Sequence, residues 1–342
     1  MWMIYGANGY TGELIAREAV ARGQRPILAG RTREKIEPLA RELGCEWRAF
    51  DLANPDLGGI RLVLHCAGPF MHTSKPMVKA CLAAGAHYLD ITGEISVFEA
   101  VLARDAEAKQ RNVTLLPGVG FDVVPTDCLA AMLHAELPDA NELWLAFSTR
   151  GGGVSRGTLK TMIEGAGLGA AIRRDGKIVV VPQMYDVREI PFASGKLLAM
   201  TIPWGDIATA YRTTGIPNIR VYSSQSPRAL ARMRWMRRLL PLLRVKPLRK
   251  LALRFADRQS GPSEAVRNRA RVELWGRVTN LRGEERTKTM SVVEGYKFTV
   301  LSSIAAVEGV LAAPRAGAFT PAGFFGADFV TQIPGTSAPL SS

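Results

Sequence analysis

Trp2-Met3-Ile4-Tyr5-Gly6-Ala7-Asn8-Gly9-Tyr10-Thr11-Gly12-Glu13-Leu14-Ile15-Ala16-Arg17-Glu18-Ala19-Val20 opens the chain as an apolar run, a glycine turn and an amphipathic helix. Leu14, Ile15, Ala19 and Val20 recur at helical spacing, and Gly23 stands where the helix should stop. A second apolar run, Pro26 to Ala29, ends in Gly30-Arg31-Thr32-Arg33. A dinucleotide pyrophosphate approaches the backbone closely and lies on the N–H groups of a helix start, and side chains at Gly6, Gly9 or Gly12 would obstruct it. The spacing is G-x-x-G-x-x-G, not the commoner G-x-G-x-x-G, so the flanking strand and helix carry the reading more than the pattern does. Gly6, Asn8, Gly9, Tyr10, Thr11 and Gly12 are the expected cofactor contacts.

The end of the second strand selects the cofactor. Asp or Glu there takes the ribose 2′-hydroxyl of NAD, whereas Arg takes the 2′-phosphate of NADP. This chain has Arg31 and Thr32, with Arg33 and Lys35 close behind and no carboxylate at the strand end. Charge and the forked guanidinium geometry point to NADP; the competing reading is a solvated basic start to a helix over Glu34 to Leu43.

Working outward, the alternation of strand and helix continues. Glu46 to Asp51 reads as a third strand, with Asp51 either accepting from the adenine amine or capping a turn. Arg61 to Ala67 is a fourth strand, apolar as in a sheet covered on both faces, and it runs into Gly68-Pro69-Phe70. Ala67, Gly68 and Pro69 form a small-residue turn over which the ribose and nicotinamide would pass. A helix over Thr73 to Ala84, a fifth strand from His87 with its exit loop to Glu94, and a helix over Val97 to Gln110 capped by Ser96 follow. A sixth strand with its exit loop spans Asn112 to Asp122, and a helix runs from Pro125 or Thr126 to Leu137. Six strands joined this way make a doubly wound parallel sheet.

G-A-N-G-Y-T-G, A-G-R-T, C-A-G-P-F, Y-L-D-I-T-G-E and P-G-V-G-F-D-V-V-P-T-D, in this order, resemble the NADP-binding domain of saccharopine dehydrogenase-like oxidoreductases, and most of all the trans-acting enoyl reductase subgroup. G-P-S-E at Gly261 to Glu264, E-G-Y-K-F-T at Glu294 to Thr299 and the tail around Gly317 to Pro321 extend the resemblance over most of the chain. It implies a Rossmann-type fold, NADP as cofactor, and reduction of a C=N (imine) or C=C (enoyl) bond. It also implies that a helix near Tyr296 to Leu311 returns to the nucleotide domain.

Beyond Leu137 the periodicity changes. Glu142 to Thr149, Lys177 to Val187, Leu197 to Ile202, Ile219 to Ser223, Ala270 to Val278 and Glu285 to Val293 read as strands of a second, mainly antiparallel or mixed sheet, and Thr158 to Gly165 as a helix. The fold class is therefore α/β with a second α+β domain. The expected ranges are 1–137 for NADP binding, 138–295 for substrate, and 296–342 for a C-terminal helix and tail returning to the nucleotide domain.

The 342 residues suit two domains, and 47% hydrophobic with 22% charged residues is the composition of a soluble globular chain. The best apolar stretch, Phe298 to Ala313, is interrupted by Glu308 and is too short to span a bilayer. With a strand starting at residue 2, no signal peptide is expected and a cytoplasmic location is. Cys45, Cys66, Cys81 and Cys128 lack a C-x-x-C pair, and the histidines lack ligand spacing, so neither disulfides nor a metal are expected.

Of the formal net charge of +13, Arg228 to Arg258 supplies +10, from eleven Lys or Arg and one acid, Asp257. With Trp235 and many leucines among its cations, this segment has three readings: peripheral contact with an anionic membrane surface, ordinary helices with snorkelling cations, or an entrance for acidic or acyl-carrier-linked substrates. No reading motif accompanies the charge, which argues against nucleic acid.

Catalytic groups should stand at the ends of the fourth to sixth strands. Tyr88, Asp90, Thr92, Glu94 and Asp122 are candidates there; Glu94 and Asp122 are the better ones for orienting a substrate or water, each with helix capping as the alternative. Lys75 and His72 follow the fourth strand, and Asp127 reads as an acidic first-turn residue. A small-molecule, lipid-like or carrier-linked substrate is expected, with a homodimer as one assembly. The alternative to an enzyme is a non-catalytic NADP-binding sensor or membrane-surface scaffold.

Overall fold

A computed structural model describes the chain except for residues 152, 154, 166–168, 237–244, 246–247, 249–251, 256–260 and 342. About half of the basic segment 228–258 thus lies outside the described residues. The chain divides into two compact units, Met1–Val124 with Tyr296–Phe324, and Pro125–Gly295 with Phe325–Ser342.

The first unit contains β1 (Trp2–Tyr5), α1 (Tyr10–Ala21), β2 (Ile27–Gly30), α2 (Arg33–Leu43), β3 (Trp47–Ala49), β4 (Leu62–His65), α3 (Phe70–Ala84), β5 (His87–Asp90), α4 (Ile95–Leu102), α5 (Asp105–Gln110) and β6 (Thr114–Leu116). Residues of β1, β2, β4, β5 and β6 are buried throughout, as in a parallel sheet covered on both faces. Ile15, Ala16 and Ala19 of α1, and Ile36, Leu39 and Ala40 of α2, form the stripes that cover it. Each large side chain so buried contributes about 1.5–3 kcal/mol.

The second unit begins with α6 (Val124–Glu136), continues through β7 (Ala140–Arg150), α7 (Arg156–Gly165), β8 (Ala170–Arg174), β9 (Lys177–Val181), β10 (Val187–Phe192), β11 (Gly195–Thr201), α8 (Asp206–Thr214), β12 (Asn218–Ser224), α9 (Pro227–Met236), α10 (Glu264–Arg269) and β13 (Arg271–Asn280), and ends its hairpin on β14 (Glu285–Val293). The chain then runs into α11 (Gly295–Ala312), β15 (Gly317–Ala318), α12 (Pro321–Phe325), a 3₁₀ turn over Ala327–Gln332 and β16 (Leu340–Ser341).

The first sheet has the order β15-β6-β5-β4-β1-β2-β3, and every pairing in it is parallel. Strand order therefore reverses between β1 and β4, where Tyr5 pairs with His65, and in such sheets ligands lie at that point along the carboxyl edge. The second sheet is mixed: β7 pairs parallel with β12 and antiparallel with β13, and β13 continues through the turn at Asn280 to Gly283 into β14.

Three expectations change. The region of Val97 to Gln110 is two helices, and α4 starts after Glu94, because the Val97 N–H already closes a turn onto the Glu94 carbonyl. The range Lys177 to Val187 holds β9, which ends at Val181, and β10 begins only at Val187. The boundary between units falls at Val124, not after 137, and residues 325–342 group with the second unit. Helix α6 belongs there because a Cβ on Gly276 of β13 would stand 2.7 Å from Leu133 Cδ1 and 3.1 Å from Leu129 Cδ2, so the bare glycine lets the helix pack on the strand. The Thr126 hydroxyl also donates to Asp206 Oδ2 of α8 at 2.9 Å.

Candidate functional site

The exits of β1, β4, β5 and β6 lie side by side on the carboxyl edge of the first sheet, and each is fastened to the next. Gly6 leaves β1 with φ +89°, a left-handed conformation that favours glycine, and a Cβ there would meet the Ala67 nitrogen at 2.8 Å. A Cβ on Gly12 would stand 2.3 Å from the Gly6 oxygen. A Cβ on Gly9 would stand 3.2 Å from the same Gly6 oxygen, a tight contact with backbone. Gly9 is also the N-cap of α1 and has no side chain to satisfy the first-turn N–H groups, which no helical carbonyl can reach. Bare backbone and a helix start together fit a pyrophosphate.

Asn8 lies toward β2, its Oδ1 at 2.9 Å from where a Gly30 Cβ would stand. Arg31 is exposed and makes no hydrogen bond or ion pair among the described residues, whereas Arg33 is paired with Glu37 at 2.9 Å and lies over the Trp47 ring. Thr32 is the N-cap of α2, but its hydroxyl makes no capping bond. Arg31 and Thr32 thus carry side chains without a hydrogen-bond partner among the described residues at the end of β2. Asp51 Oδ1 accepts from the N–H groups of Ala53 and Asn54 at 2.9 and 3.1 Å, closing a turn past β3. Of its two sequence readings, turn capping is the one its hydrogen bonds display.

Ala67, Gly68 and Pro69 are held by Thr73, whose hydroxyl donates to the Ala67 carbonyl at 2.7 Å and lies 3.0 Å from His65 Nε2. His65 is stacked on Tyr5 and edge-on to Phe70; burial lowers its pKa to about 3, so the ring is neutral.

The Glu94 carboxylate crosses from the β5 exit to the start of α3, accepting from the Phe70 N–H through Oε1 and the Met71 N–H through Oε2, each at 2.8 Å. It caps the helix that precedes it in sequence, not the one that follows, and a substrate would have to compete with those two bonds. Glu94→Ala is expected to cost about 2 kcal/mol, the upper end of capping effects, measured as a fall in melting temperature.

Buried Asp90 ties the β5 and β6 exits together. It accepts from the Tyr88 hydroxyl at 2.7 Å, the Thr92 N–H at 3.0 Å and the Gly118 N–H at 2.8 Å. Burial raises its pKa to about 6, against the lowering effect of those bonds. Tyr88, Asp90 and Thr92 are therefore scaffold.

Asp122 differs from all of these. Its carboxyl makes no hydrogen bond or ion pair among the described residues, and burial, then the nearby Glu94 charge, raise its pKa to about 7. It lies directly on Gly93: a Cβ there would meet Asp122 Oδ2 at 2.6 Å. The loop that carries it is fixed by α11, where Thr299 Oγ1 accepts from the Phe121 N–H at 3.0 Å and the Ser302 hydroxyl donates to the Val119 carbonyl at 2.7 Å. Gly93, Thr299 and Ser302 were not singled out from the sequence; the i, i+3 spacing of two hydroxyls on an apolar helix is the signal that could have found the last two. Tyr296 of the same helix packs edge-on against Tyr10 at 5.0 Å. The structure thus brings together the glycine turn, Ala67 to Pro69, Glu94 and Asp122. Asp127 belongs to the second unit and accepts from the Thr213 hydroxyl at 2.7 Å.

Residues 2–116 match the family model of the saccharopine dehydrogenase NADP binding domain. The saccharopine dehydrogenase-like oxidoreductase of Mus musculus is 30% identical over 202 residues, 50% of this chain and 47% of that protein. The trans-acting enoyl reductase of Mycobacterium bovis (strain BCG / Pasteur 1173P2) is 28% identical over 183 residues, 47% of this chain and 43% of that protein. The match thus spans about half the length of these curated relatives. Saccharopine dehydrogenase (L-Glu forming) from Saccharomyces cerevisiae shares the fold at a TM-score of 0.67 and 12% identity, covering 100% of this chain and 99% of that one. Residues 2–116 therefore belong to the saccharopine dehydrogenase NADP-binding domain family.

Proposed function

We propose that this chain is an NADPH-dependent oxidoreductase that reduces a C=C (enoyl) or C=N (imine) bond of a hydrophobic or carrier-linked substrate. The observation that carries the reading is Asp122: a carboxyl without hydrogen-bond partners among the described residues, its pKa near neutrality, on the same sheet edge as the glycine turn. When bound, NADPH supplies the hydride. The glycine turn and the start of α1 hold the pyrophosphate, Arg31 and Thr32 the 2′-phosphate, and the turn at Ala67 to Pro69 leaves room above the sheet. Asp122 gives its proton to the atom of the double bond left with the electron pair and is reprotonated from water before the next cycle. Relatives named as enoyl reductases support a carrier-linked enoyl acceptor. The exposed Trp235 and Phe255, at either end of the basic segment, support an apolar or acyl-bearing one.

The test is NADPH oxidation against a panel of enoyl thioesters and imines. Asp122→Asn is expected to lower kcat by roughly 10²–10⁴-fold, the usual worth of a positioned acid, with NADPH affinity unchanged. The donor form is the protonated one, so the rate constant of the wild type should hold below pH 7 and fall as pH rises through the Asp122 value of about 7. Protein that binds NADPH yet reduces neither class of acceptor would contradict the enzyme and favour a binding module.

A further inference from the structure

We infer that His65 and Thr73 are positioning residues for the nicotinamide half of the cofactor, a ring N–H and a hydroxyl in series that hold the turn from Ala67 to Pro69 at the exit of β4. The inference rests on the reading of that turn as the surface over which the nicotinamide half of NADPH lies, and names what fixes it.

Three observations carry it. First, the order of the protons follows from the acceptors. The Thr73 hydroxyl oxygen lies 2.7 Å from the Ala67 carbonyl oxygen, 3.2 Å from that of Pro69 and 3.0 Å from His65 Nε2. Carbonyls only accept, so the single hydroxyl proton goes to them and the oxygen accepts from the ring. His65 is therefore the Nε2–H tautomer. Its Nδ1, buried without a hydrogen-bond partner among the described residues, is bare and strands no proton.

Second, the reach of Thr73 goes beyond its own helix. Pro69 is four residues back, the usual back-bond of a helical threonine. Ala67 is six back and lies before α3, so that bond ties down the turn. Ala67, Gly68 and Pro69 have no polar side chain of their own, so side-chain anchoring has to come from elsewhere, and Thr73 supplies it.

Third, the ring is boxed in. His65 is fully buried, stacked on Tyr5 with centroids 5.5 Å apart, edge-on to Phe70 at 5.5 Å and tilted against Tyr88 at 6.1 Å. Tyr5 is itself held by its hydroxyl on the Phe50 carbonyl at 3.1 Å, and Phe70 by its N–H on Glu94 at 2.8 Å. Gly68, by contrast, is exposed. The turn is thus anchored from within and open on the outside, where a small misplacement of the hydride-bearing ring would be costly.

The experiment is calorimetric titration of NADPH and of adenosine 2′,5′-bisphosphate, which has the 2′-phosphate but no nicotinamide, into wild type and three variants. Thr73→Val keeps the shape but strands the His65 N–H and the Ala67 carbonyl; it should weaken NADPH about tenfold and leave the bisphosphate unchanged. Thr73→Ser, which keeps the hydroxyl, should bind NADPH as wild type does. His65→Phe, which keeps the ring packing and removes the donor, should show the same split as Thr73→Val. Equal losses of both ligands in Thr73→Val, or no loss of either, overturn the inference, and full NADPH affinity in His65→Phe overturns the part given to His65. If the variants do not fold, ¹⁵N spectra of the histidine rings in wild type decide, with His65 assigned through its backbone resonances. A protonated Nε2 and a bare Nδ1 at neutral pH are expected, and a proton on Nδ1 overturns the series. Wild-type protein that binds neither ligand removes the cofactor reading itself, whereas the inference alone fails when wild type binds both.

Discussion

Gly12→Ala is expected to abolish NADPH binding, lowering affinity by at least about 100-fold, or roughly 2.8 kcal/mol. An added Cβ would lie 2.3 Å from the Gly6 oxygen and 3.0 Å from the Ala7 Cα, so it meets backbone, which cannot rotate away as a side chain does. Nor can the turn shift freely. The Gly6 and Ala7 N–H groups both donate to the Ala29 carbonyl of β2, at 2.7 and 3.1 Å, and the Gly9 N–H donates to Gly6 at 2.9 Å. The methyl must therefore push α1 off the turn and spread the N–H groups that would take the pyrophosphate. Gly23→Ala is the control. It sits past the other end of α1 with φ +79° and nothing within 4 Å of an added Cβ, so it costs about 1 kcal/mol of backbone strain and should leave NADPH affinity intact. Circular dichroism confirms that each variant is folded, and calorimetric titration reads the affinity.

Arg31→Asp is expected to weaken NADPH by about 100-fold while changing NADH by less than about threefold. One charge-assisted pair with the 2′-phosphate is lost and a repulsion takes its place, together on the order of 3 kcal/mol. Arg31 is the residue for this because it is uncommitted among the described residues, whereas Arg33 is drawn away by Glu37 and Trp47. Arg33→Asp should therefore have the smaller effect on the ratio of the two affinities. Equal losses of NADPH and NADH in Arg31→Asp would remove Arg31 from the 2′-phosphate site.

What the sequence makes legible here is what is local. The glycine turn, Arg31 and the buried parallel strands are each set by residues within a few positions of one another, and the structure places the elements of the first sheet close to where their periodicity puts them. What stays hidden depends on distant partners. Glu94 announces itself as an acid at a strand exit, but the N–H groups it binds belong to Phe70 and Met71, more than twenty residues earlier. Asp122 is distinguished from Asp90 only by what does not reach it, and that is decided by the stacking of two loops over Gly93. Two-residue β15 is too short to show a period, yet it extends the first sheet through Thr114 and Leu115. Helix α6 looks like the closing helix of the nucleotide domain until Gly276, 140 or more residues downstream, lets it pack on β13.

The measurement that tests the central claim most directly is calorimetric titration of NADPH and of NADH into the purified protein at one fixed salt concentration. The account predicts one site, with NADPH bound at least about tenfold more tightly than NADH, a difference of about 1.4 kcal/mol. Equal affinity for the two would contradict the role of Arg31 and Thr32. Failure to bind either would mean that Gly6, Gly9 and Gly12 only shape a turn, and the oxidoreductase would fall with the site.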